Sequence, residues 1–162
     1  MSREYNRKME QTELAEILKR QQIAVLSTIG SENNVHGSTM FFTSDSSLNF
    51  FLLTKSNTRK YENISANKRA ALTVIFSNEQ KTVQAEGFLD EIPKGTEEYL
   101  KIITQISEKN AQQGGISWPP PLSKIPKSEL VIYRLIPDWL RYGDYTSQND
   151  EVFHQIIPSQ DK

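Results

Sequence analysis

Residues 50–74 read FFLLTKSNTRKYENISANKRAALTV. The aromatic and aliphatic run ends at Thr54, which is the profile of a buried β-strand, and Ala70 onward opens a second β-branched run of the same kind. Between them lies a polar, basic link, Thr54-Lys55-Ser56-Asn57-Thr58-Arg59-Lys60, followed by a segment, Tyr61 to Asn67, compatible with one short helix. Thr58, Arg59 and Lys60 then stand at the start of that helix, where unpaired backbone N–H groups and the helix dipole favour an anion. Two hydroxyls, a guanidinium and an ammonium suit a phosphate dianion. The plainer reading of the same residues is a capped helix with a solvated basic pair.

The flanking sequence continues the β pattern. A helix is expected from Thr12 to Lys19, with Thr12 as cap and Leu14, Ile17 and Leu18 as its apolar stripe. Strands follow at Ile23–Ile29 (ended by Gly30), Val35–Thr43, Leu48–Thr54, Ala70–Phe76 and Thr82–Ile92, joined mostly by short polar turns. Such turns imply antiparallel neighbours, and many short strands with polar links imply a barrel or sandwich. Along the fifth strand Val83, Ala85, Gly87 and Leu89 share one face, while Thr82, Gln84 and Glu86 share the other. A helix over Thr96–Gln112 comes next, then a long link, Gly114–Ser128, carrying Trp118 and three prolines. Two strands, Glu129–Ile136 and Trp139–Tyr145, are separated at Pro137, and a polar tail follows Ser147. The long link reads either as a lid or as a stiff polyproline spacer.

Composition removes whole classes of function. The 162 residues carry 19 basic and 20 acidic side chains, a net charge of −1, which argues against a general nucleic-acid surface. With no cysteine there is no disulfide, thiolate metal site or thiol nucleophile. His36 and His154 are the only histidines, so a three-histidine metal site and a HExxH pair are absent, and no metal is expected. Neither GxSxG, GxGxxG nor GxxxxGK[ST] occurs. No signal-like or membrane-spanning run is present, so the expected location is the cytoplasm, and the sequon Asn63-Ile64-Ser65 is a chance match.

The stretch 50–74 also resembles the pyridoxamine 5′-phosphate oxidase-like family of FMN-binding split barrels. There an aromatic-aliphatic strand ends in Thr, then come Ser/Thr-Arg/Ser-Lys, an Asn-containing short helix and a valine-rich strand. The order of elements agrees from about Thr12 to Tyr145. The resemblance implies a mainly β protein with flanking helices, a six- to seven-stranded antiparallel split β-barrel of Greek-key type. It implies one domain over 1–162, with its core at about 12–145 and a polar tail at 147–162.

It further implies FMN as cofactor, the phosphate on Thr54, Thr58, Arg59 and Lys60 and the ring along His36, Gly37, Ser38 and Thr39. Thr82 and Gln84 fall on the strand that reaches the flavin edge, although oxidases of the family carry a Gln nearer the position of Thr82. A homodimer with flavin at its interface is implied, with Trp139, Arg141 or Trp118 of the second subunit closing over the ring. Read without the family, Gly37 and Ser38 are small residues in a crowded strand, and Trp139 is a core or interface aromatic. The expected function is an FMN-dependent oxidoreductase of unassigned substrate and donor. A flavin-binding stress or sensor protein without turnover is the alternative, or a haem- or deazaflavin-binding member of the family. The end RYGDYTSQNDEVFHQI, residues 141–156, departs from true pyridoxamine 5′-phosphate oxidases in lacking their Arg-x-His segment.

Overall fold

The computed structural model describes residues 3–76, 78–112, 126–146 and 153–157. Its elements, in chain order, are α1 (Arg3–Lys19), β1 (Ile23–Ile29), β2 (Val35–Ser44), β3 (Phe50–Lys55), α2 (Arg59–Ala66), β4 (Arg69–Phe76), β5 (Lys81–Ile92), α3 (Glu97–Gln112), β6 (Leu130–Asp144) and β7 (Phe153–Ile157). The strands run in the order β3-β2-β1-β4-β5-β6-β7, and β3 also pairs with β6. That last pairing closes six strands into a barrel and removes their free edges. Every pairing is antiparallel. The chain is therefore a split-barrel protein with three flanking helices and one strand added outside the closed ring.

Period-2 alternation divides each strand between two environments. Ala24, Leu26, Met40, Phe42, Phe50, Leu52, Leu72, Val74, Val83, Ala85, Val131 and Leu135 point inward and fill the barrel. Burying each Leu or Phe here contributes roughly 1.5–3 kcal/mol relative to exposure. Phe41, Phe51, Leu53, Leu130 and Ile132 point out of the barrel wall and are covered by Tyr99, Ile102 and Ile106 of α3. The rest of the outer wall, formed by β1, β4, β5, the start of β2 and the end of β6, is open among the described residues. Val35, Ile75, Phe88 and Ile136 are its large exposed apolar side chains.

Four expectations change. The first helix begins at Arg3, so Thr12 lies inside it and does not cap it. Leu48 has φ of 63° and belongs to the turn before β3, not to the strand. The last two strands are one continuous strand, β6, because Pro137 sits where the β5–β6 register shifts at Glu86/Gly87 and its missing N–H interrupts nothing. Gly87 makes this fit possible: a Cβ there would stand 2.8 Å from Ile136 C and 2.9 Å from Pro137 Cα. Finally, the polar tail contains β7, whose residues pair with Leu140–Gly143 of β6.

Candidate functional site

The basic link emerges from β3 at a fixed point. Ser56 N donates to Glu129 O at 2.9 Å, and Asn57 Nδ2 donates to Glu129 Oε2 at 3.4 Å, tying the turn to the start of β6. Thr58 is the N-cap of α2: its backbone is extended (φ −120°, ψ 153°) and its Oγ1 accepts from Tyr61 N at 3.4 Å while donating to Lys55 O at 2.9 Å. Thr54, buried, has its Oγ1 3.5 Å from that of Thr58. At the middle of α2, buried Asn63 donates to Thr28 Oγ1 at 3.0 Å and pins the helix to β1.

Basic side chains prevail at the start of α2, although Glu62 lies in its first turn and the Glu129 carboxylate accepts from Asn57. Arg59 is exposed and Lys60 is half-buried. Among the described residues no carboxylate forms an ion pair with Lys55, Arg59 or Lys60. Burial, and then the nearby Lys55 charge, hold the Lys60 ammonium below the ordinary lysine range. An anion at this spot would relieve both the repulsion and the unpaired N–H groups of the helix start.

A second feature lies on the open outer wall. Strand register aligns Gly37, Ser27, Ala71, Glu86 and Trp139 across five strands, with Thr39, Val25, Thr73, Gln84 and Arg141 in the next row. Gly37, Ser27 and Ala71 have so little side chain that this part of the wall is a flat floor. Next to it is a groove of about 210 Å³ lined by Ser27, Ile29, Val35, Arg69, Ala70, Ala71 and Glu86. Arg69 pairs with Asp138 and, at 3.6 Å, with Glu86, and lies 4.8 Å from the Phe88 ring centre. Its bond to Asp138 raises the guanidinium further above its ordinary value. Two carboxylates thus neutralise it, so the floor offers apolar contact rather than an anion site.

The residues singled out from sequence divide accordingly. Thr54, Thr58, Arg59 and Lys60 gather at the start of α2. Gly37, Thr39, Thr82, Gln84 and Trp139 share the open wall. His36 and Ser38 lie on the other side of β2, which Met40 and Phe42 continue into the barrel interior. There Ser38 Oγ stands 3.3 Å from His36 Nδ1, and Thr28 Oγ1 donates to His36 O at 3.4 Å. Trp118 lies outside the described residues. Sequence reasoning missed Ser27, Ala71 and Thr73, because the β1–β4 pairing joins residues more than forty apart and leaves no local pattern.

A separate cavity of about 250 Å³ is lined by Glu10, Glu13, Asp144, Lys81, Tyr142 and His154 over Leu14, Ile17 and Ile156. Lys81 is matched by Asp144 at 3.6 Å and His154 by Glu10 at 3.9 Å, so carboxylates prevail and a phosphate is disfavoured. Among the described residues no three His, Asp or Glu side chains stand so placed that they could hold one metal ion. No helix there is long and apolar enough to cross a membrane.

The family model for pyridoxamine 5′-phosphate oxidase matches residues 11–141. No curated protein matches the chain. Among solved structures, an FMN-binding protein related to pyridoxamine 5′-phosphate oxidase from Nostoc punctiforme is 14% identical, with TM-score 0.59 and 98% of each chain covered. The haem storage protein HutZ from Vibrio cholerae is 17% identical with TM-score 0.61, covering 79% of this chain and 90% of its own. An F420 reductase is 22% identical with TM-score 0.59, covering 77% and 93%. At such identities the solved structures share the fold.

Proposed function

The chain belongs to the pyridoxamine 5′-phosphate oxidase family, and from that premise we propose that it is an FMN-binding flavoprotein acting as a cytoplasmic oxidoreductase. The observation that carries the cofactor is the start of α2, where Lys55, Arg59 and Lys60 have no carboxylate partner among the described residues and two threonine hydroxyls converge. Arg59 and Lys60 hold the phosphate by charge, Thr54 donates to it, and Thr58 joins them once its hydroxyl turns from Lys55 O to the anion. The flat floor of Gly37, Ser27 and Ala71 accepts the face of a planar ring, with Thr39 and Gln84 at its polar edge and Thr82 one pleat before Gln84 on β5. A second copy of the chain covers the open wall, and Trp139 packs at that junction. Bound FMN would supply electron and hydride transfer, which leaves the chain to bind, orient and shield.

Histidine placement favours flavin over haem. His36 is engaged with Ser38 on the interior side of β2, and His154 faces Glu10, so neither imidazole stands on the floor. The end of β6 carries no Arg-x-His segment, and the substrate is accordingly something other than pyridoxamine 5′-phosphate; efficient turnover of that compound would contradict this. In Arg59→Ala/Lys60→Ala, loss of two charge-assisted contacts should raise the FMN Kd by about a hundredfold or more with the fold intact. Unchanged FMN retention in that variant would overturn the assignment. Reduction of bound FMN by NADH or NADPH separates an enzyme from a flavin carrier without turnover.

A further inference from the structure

Gln84 on β5 stands directly opposite Arg141 on β6. Arg141 Nη2 donates to Gln84 Oε1 at 2.5 Å. The guanidinium carbon lies 4.1 Å from the Phe153 ring centre and 5.5 Å from that of Trp139, so β7 and β6 together fix the head group. Arg141 Nε is buried without an acceptor among the described residues, a cost tolerated where the remaining contacts set the orientation.

An amide has one accepting and one donating end, whereas a guanidinium only donates. Turning the Gln84 amide over would bring its N–H groups against those of Arg141. Gln84 is thereby confined to one orientation, with Oε1 occupied and Nε2 left to donate to another partner. Nε2 has no acceptor among the described residues. An unrestrained glutamine could serve either kind of ring atom; this one can only donate.

We infer that Arg141 is a positioning residue that locks Gln84 as a hydrogen-bond donor toward the acceptor atoms of a planar heterocycle on the floor, and so favours that ring's reduced form. This rests on the FMN reading above. The negative charge of the anionic reduced ring would lie on the nitrogen and carbonyl oxygens of its pyrimidine side, and there a fixed donor backed by a guanidinium interacts more strongly than with the oxidised ring. The position also bears on Thr82. That residue packs its hydroxyl against Gly143, so the amide that reaches the edge stands one pleat further along β5.

The test is to load wild type, Gln84→Glu, Arg141→Met and Arg141→Lys with FMN and measure the midpoint potential of the bound flavin, together with the Kd for FMN and for riboflavin. Gln84→Glu keeps a partner for Arg141 but replaces the donor by an acceptor. It and Arg141→Met should lower the potential and weaken FMN and riboflavin alike, by about tenfold for one lost hydrogen bond. Arg141→Lys, which still donates to Gln84, should restore both readouts. An Arg141 with only a structural role would lower the melting temperature and leave the potential in place. Wild-type potential and affinities in Gln84→Glu would overturn the inference while leaving the FMN assignment standing. A wild-type protein that binds neither FMN nor riboflavin would overturn both.

Discussion

Lys109, near the end of α3, shows how much one side chain can organise away from the proposed cofactor. Its ammonium donates to Gln21 O at 2.5 Å and to Phe42 O at 3.5 Å, and lies 5.0 Å from the Phe42 ring centre. Gln22 Nε2 donates back to Lys109 O, so α3, the start of β1 and β2 are joined at one point. Burial pushes the Lys109 amine down to about 8 from 10.5. Below about 8 the amine is charged in both folded and unfolded chains, and the fold bears its desolvation in full. Between about 8 and 10.5 the unfolded chain binds more protons than the folded one, so this residue's contribution to stability rises with pH. Tyr133 and Tyr142, whose hydroxyls burial raises above 10, act oppositely and only at the alkaline end. Urea unfolding of wild type minus Lys109→Met across this window should therefore show a difference that grows in favour of wild type as pH rises. A flat difference would contradict the account.

At the scale of elements, the β5–β6 irregularity lets a proline sit inside a long strand. Gly87→Ala would press a methyl group into the Ile136–Pro137 backbone and should destabilise the protein by about 3 kcal/mol, read from urea midpoints. A change well under about 1 kcal/mol would mean that the strands separate easily here. Pro137 also explains why the sequence suggests two strands: the missing N–H is visible in the sequence, but the register shift that accommodates it is not. The alternation of β5 and the apolar run of β1 were legible because each strand's two faces meet different surroundings. The first nine residues of α1, REYNRKMEQ in order from Arg3, carry no apolar stripe, so propensity alone hides that part of the helix. β7 is only five residues long, too short for a pattern to register. The cradle at α2 was readable because its residues are contiguous, whereas the floor draws one residue from each of several strands and depends on pairings between distant segments.

For the whole molecule, the two sides of the barrel wall differ in a way that the six-stranded closure alone does not require. α3 covers one side, while the other exposes Val35 at 71%, Ile75 at 60% and Phe88 at 52% beside the floor. Side chains of this kind gathered next to the proposed ring floor suit an interface between copies. On the proposed dimer, Ile75→Arg/Phe88→Arg should shift sedimentation from dimer to monomer and weaken FMN binding, since the ring would lose its proposed cover. A wild-type monomer that retains FMN would contradict the shared-interface reading. The account as a whole stands on the cradle at the start of α2 taking the phosphate of FMN. The most direct measurement is the visible absorption spectrum of the freshly purified protein, with identification of the chromophore released by heat. A flavin spectrum and released FMN are the predicted result; a colourless protein that also fails to bind added FMN would contradict it.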